Sequence, residues 1–199
     1  MKKYVEIFTG CLCAAALFLC FSICGCGSRQ GGAENSQGQA SIYDAPLDIL
    51  EKIIAAYEGN ELFAMYGGDS EHAVMDAPGS FAVSNTQELD AVLGVPESQW
   101  QNLEEAASVV HMMNANTFTG AAYRLKDSTD QHAFAEAVKA NLLKKQWVCG
   151  QPDTLLVIQA DEKHMLTAFG DATLIQTFQN HALSVLKGSK VVIEAPVTG

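Results

Sequence analysis

Ser108-Val109-Val110-His111-Met112-Met113-Asn114-Ala115-Asn116-Thr117-Phe118-Thr119-Gly120-Ala121-Ala122-Tyr123-Arg124-Leu125-Lys126 is the stretch that decides the fold. Residues 108–113 and 117–126 are two strand-like runs, and Asn114-Ala115-Asn116 joins them with the length and composition of a hairpin connection. The pattern then changes period. Ser128-Thr129-Asp130-Gln131 resembles a capping box and predicts a helix to about Gln146, with Phe134, Ala137, Val138 and Leu142 on one face. Strand and helix then recur in the same order. Residues 154–160 and 164–169 read as a second hairpin around Asp161-Glu162-Lys163. Asp171 then caps a last helix whose Leu174, Ile175, Phe178, Ala182, Val185 and Leu186 make the clearest amphipathic stripe in the chain. Gly188 ends that helix, and Val191-Val192-Ile193 adds a short edge strand or a tail.

Upstream the signals are weaker. Asp44 and Pro46 open a helix with Leu47, Leu50, Ile54 and Tyr57 at helical spacing, stopped by Gly59. Residues 62–83 carry glycines, Pro78 and little periodicity, so they read as loop with one short strand around 81–83. Ser84-Asn85 caps a short helix bearing Leu89, Val92 and Leu93, closed by Gly94 and Pro96, and a second short helix carries Trp100 and Leu103. The order helix, hairpin, helix, hairpin, helix predicts an α+β domain, an antiparallel sheet built from two hairpins with helices packed on one face. No βαβ unit with a glycine-rich turn occurs, which excludes the usual dinucleotide site.

The N-terminus sets the compartment. Met1-Lys2-Lys3 precedes a run from Ile7 to Ile23 that is apolar except for Thr9, Gly10 and Ser22, the pattern of an export signal. It closes on Ile23-Cys24-Gly25-Cys26. Residues 26–43 are rich in Gly, Ser, Gln and Ala and cannot bury enough apolar surface to fold, so they read as a tether; 44–199 is left as one domain with a single core. The chain has 12 basic and 23 acidic residues and a formal net charge of −11, with no clustered cationic face, which argues against nucleic acid and against adhesion to anionic lipid. Five of the six cysteines lie at or before Cys26. Cys149 alone remains in the domain, so neither an internal disulfide nor a C-x-x-C pair is possible there.

Ile23, Gly25 and Cys26 resemble the lipobox of bacterial lipoproteins, with an aliphatic residue three places before the cysteine and a small residue just before it. The resemblance implies a signal peptide over 1–25 and a diacylglyceryl-modified Cys26, palmitate-type acylation holding the mature chain to a cell membrane on its extracytoplasmic side. The segments Val109-Val110-His111-Met112-Met113-Asn114, Trp147-Val148-Cys149-Gly150-Gln151-Pro152 and Leu166-Thr167-Ala168-Phe169-Gly170 resemble uncharacterised lipoproteins of clostridial Firmicutes. In that group a lipobox and short tether precede one small domain, and the resemblance implies a Gram-positive surface location without any catalytic residue.

Four sets of residues invite chemistry. Gly68-Asp69-Ser70 with Asp161-Glu162-Lys163-His164 resembles the two ends of a GDSL-type esterase, where a serine draws on an imidazole oriented by a carboxylate. The context differs, because residues 61–67 make a poor strand and His164 falls in a hairpin, so Ser70 is expected to be a loop residue without a catalytic partner. His111-Met112-Met113 and His164-Met165 suit copper by ligand type. Adjacent strand residues point to opposite faces, however, which favours core packing. Trp100 and Trp147 are expected as core or rim aromatics. Cys149 follows a helix C-terminus and is expected to be a buried, inert thiol.

These readings lead to one expectation. The chain is a lipid-anchored extracytoplasmic protein whose domain binds or assists without catalysis; a surface serine hydrolase is the competing class. No catalytic, cofactor or metal residue is assigned. The expected partners are the membrane, through the anchor at Cys26, and an envelope protein, peptide or small molecule.

Overall fold

A computed structural model describes residues 41–113 and 117–197. The signal segment, Cys26 and most of the tether lie outside the described residues, as does the hairpin connection 114–116. The described part belongs to one compact unit.

The first helix, α1 (Pro46–Ile54), begins with Pro at its first turn, where the missing N–H costs nothing. The expected Asp44 cap is not used: Ala45 holds the N-cap position and no side chain bonds there. Within the segment read mostly as loop the chain forms three short strands, β1 (Met65–Gly67), β2 (Val74–Met75) and β3 (Gly79–Phe81). Asn85 caps α2 (Thr86–Ala91) by accepting from Glu88 N, and α3 (Glu97–Trp100) follows. Leu103, expected on that helix, instead starts the long strand β4 (Leu103–His111). β5 (Phe118–Leu125) returns beside it. Asp130 caps α4 (Gln131–Lys144), β6 (Thr154–Gln159) and β7 (His164–Gly170) form the second hairpin, and Asp171 caps α5 (Ala172–Val185) as its sequence predicted. The tail is a full edge strand, β8 (Lys190–Pro196), paired with β6.

The class is α+β, but the sheet is larger than two hairpins. Eight strands join in the order β2-β1-β4-β5-β7-β6-β8, with β3 beside β1 on the outer edge of β4, and every pairing is antiparallel. The two hairpins meet through their second strands, from Phe118 opposite Gly170 to Arg124 opposite His164. Lys190, Glu194 and Pro196 line the outer strand β8, residue types that discourage a further strand from pairing there.

The helices do not share one face. Leu155 and Val157 point into a cluster with Leu89, Leu93, Phe134, Val138 and Leu142 from α2 and α4 and their flanks. Leu156 and Ile158, their immediate neighbours, point into a cluster with Ile49, Ile53, Ile175 and Phe178 from α1 and α5. A helical layer therefore covers each side of the sheet, and the expectation of a single covered face is corrected. The cause lies in the strands: all seven residues of β7 are buried, which requires apolar cover on both sides. Gly170 (φ +152°) allows the end of β7 to lie against the start of β5, since a Cβ there would sit 2.0 Å from the Thr117 carbonyl oxygen.

Candidate functional site

Two Asp-x-x-His turns form by the same local rule. In each, one carboxylate oxygen accepts from the backbone amides two and three residues on and from the histidine Nδ1, an arrangement that a short acidic side chain offers a turn. Asp69 Oδ1 accepts from Glu71 N (2.9 Å), His72 N (3.2 Å) and His72 Nδ1 (2.9 Å), while its Oδ2 accepts from Ala82 N (2.8 Å). Burial opposes the charge on Asp69, but the bonds from Ala82, His72 and Glu71 outweigh it and hold the carboxyl below its ordinary range. Asp161 repeats this, with Oδ1 accepting from Lys163 N (2.8 Å), His164 N (2.8 Å) and His164 Nδ1 (3.0 Å).

The serine drawn to His164 is Ser41. Its Oγ lies 3.2 Å from His164 Nδ1 and 3.1 Å from Asp161 Oδ2, and Ile42 N donates to the same Oδ2 at 2.9 Å. Ser41, His164 and Asp161 thus meet, but serine and carboxylate share one ring nitrogen. A nucleophile and its orienting acid need opposite nitrogens of the imidazole, so this trio cannot pass a proton through the ring. His164 Nε2 is buried without a partner. The arrangement is a clamp on the start of the domain.

Ser70 occupies the turn after β1, where its amide donates to Glu88 Oε2 (2.9 Å) and its hydroxyl bonds Glu88 Oε1. Those two bonds are the main reason the Glu88 carboxyl is lowered. Strands β4 and β5 lie between this edge and His164 in the sheet, and among the described residues no hydrogen bond joins Ser70 to a histidine.

The copper candidates divide in the same way. His164 and Met165 sit on opposite faces of β7, the first beneath α1 and α5, the second in the cluster under α4. His111 stacks on Phe63 with ring centroids 4.8 Å apart, and its Nδ1 accepts from Met113 N at 2.9 Å, so that nitrogen is occupied. Burial pushes the His111 pKa down. Met112 and Met113 are both exposed. Among the described residues no group of three or more His, Cys, Asp or Glu side chains could hold a metal ion.

Trp100 packs against the core under α4 with Nε1 donating to Val95 O (2.9 Å). Trp147 has a different setting. It lies against Phe169 at 5.9 Å between centroids, with Lys145 Nζ 5.3 Å above its ring, and it forms one wall of a cleft of about 120 Å³. Val110, His111, Thr119, Pro152 and Phe169 line the rest. The cleft opens at the end of the sheet where β4 finishes and β5 starts, on the side that α4 leaves bare after Lys144. Met113 also lines it and is exposed, as are its neighbour Met112 and Val148 after Trp147, the last 94% exposed. Sequence reading did not find this cleft, because its walls come from four separate segments; the aromatic Trp147 between helix end and Pro152 was the one local signal.

Cys149 is exposed, and the expectation of a buried thiol is corrected. The helix ends at Lys144, two residues short of its predicted end, and beyond it Trp147 packs on Phe169 while Val148 and Cys149 face outward. Native Cys149 should therefore react with a maleimide at a rate within a few-fold of the urea-unfolded chain. A native rate lower by orders of magnitude would show that the 146–151 turn is closed in solution.

Comparison of the chain with family models, curated proteins and solved structures returned no match. No helix among the described residues is long and apolar enough to cross a membrane.

Proposed function

We propose that this chain is a membrane-anchored extracytoplasmic lipoprotein of Gram-positive type, lipidated at Cys26, whose α+β domain binds a partner or ligand without catalysis. The anchoring half rests on the lipobox-like run at Ile23-Cys24-Gly25-Cys26 behind a basic and then apolar leader. Two acyl chains on one cysteine hold a domain stably, since each buried methylene contributes about 0.8 kcal/mol. The binding half rests on one observation above all, the cleft walled by Trp147 and Phe169 and lined also by exposed Met113, with exposed Met112 and Val148 next in the chain to Met113 and Trp147. A flexible methionine side chain beside an aromatic-walled cleft is a common element of binding surfaces. The imidazoles of the two Asp-x-x-His turns speak for the same reading, because Nδ1 of His72 and Nδ1 of His164 are each taken by the turn's own carboxylate.

Mass spectrometry of the N-terminus tests the anchoring directly. The expected species begins at an acylated Cys26, and Cys26→Ser should leave the chain uncleaved or move it out of the membrane fraction. An intact leader with an unmodified Cys26 would overturn the proposal.

A further inference from the structure

We draw no further inference here: the strongest candidate, the buried Asp161–His164 pair bonded to Ser41 and Ile42 at the β6–β7 turn, belongs to the clamp already described, and its unpartnered His164 Nε2 is closed to solvent, so it offers a ligand no atom to bind.

Discussion

Asp161→Ala is expected to cost about 3–5 kcal/mol of folding stability, the scale reached when a buried carboxylate that accepts several hydrogen bonds is removed and its donors lose their acceptor. The carboxylate side chain is 3% exposed and accepts from Lys163 N, His164 N, His164 Nδ1, Ile42 N and Ser41 Oγ. An ionised carboxylate only accepts, so the His164 Nδ1 carries the proton in this bond. Alanine would remove the shared acceptor of the Lys163, His164 and Ile42 amides and of an imidazole that has no exposure and an Nε2 already without a partner, while Ser41 Oγ keeps the Tyr43 carbonyl at 2.7 Å. The same bonds set an acid limit. Burial raises the Asp161 pKa, but the bonds from His164, Lys163 and Ile42 prevail and hold it well below the ordinary carboxylate range. A depressed folded-state pKa means that the unfolded chain binds the proton first. The contribution is therefore complete above the unfolded value near pH 4 and is lost progressively as pH falls below it. Urea midpoints at pH 7, 4 and 3 check both points: the wild type should lose stability across that range and the Asp161→Ala protein should lose less. Equal acid slopes would show that other carboxylates control the acid limit.

That turn shows how far the sequence could be read. Asp161-Glu162-Lys163-His164 was legible as a tight hairpin turn and Asp171 as a helix cap because capping is local chemistry, whereas the capping box read from Ser128 found the next helix but placed its cap two residues before Asp130, which accepts from His132 N and Ala133 N. What Asp161 and His164 hold was not legible. Ser41 lies more than a hundred positions away, and no spacing rule relates a tether residue to a hairpin. Ser70 drew attention through the string Gly68-Asp69-Ser70, yet the turn there is explained by Asp69 bonding its own backbone and Ala82. The short strands β1, β2 and β3 escaped periodicity because two or three residues cannot display a period of two.

The covering of both sheet faces was in the sequence but in a less familiar form. Leu155-Leu156-Val157-Ile158 and Met165-Leu166-Thr167-Ala168-Phe169 are unbroken buried runs, whereas a sheet with one wet face alternates polar with apolar. The common expectation for antiparallel hairpins is one wet face, and it outweighed that signal. Thr167, the polar member of the second run, is tolerated inside because its hydroxyl meets Tyr123 OH at 3.1 Å.

The two-layer architecture makes its own quantitative claim. Phe134 on α4 and Phe178 on α5 are both without solvent exposure, the first meeting Tyr123 at 5.3 Å and the second meeting Phe118 at 5.5 Å between centroids. Tyr123 and Phe118 point to opposite sides of the same strand, so the sheet separates the two phenylalanines and they share no neighbour. Each Phe→Ala change leaves a large cavity in a packed layer and should cost about 3–5 kcal/mol. The double variant should lose the sum of the two to within about 0.5 kcal/mol, as independent sites do. Helices stacked on a single face would place both aromatics in one core, where the second cavity merges with the first and the losses couple by more than that. Chemical denaturation of the two single variants and the double, carried out on a domain stable enough to measure all three, distinguishes these outcomes. A coupling above about 1 kcal/mol would contradict the separation of the two layers.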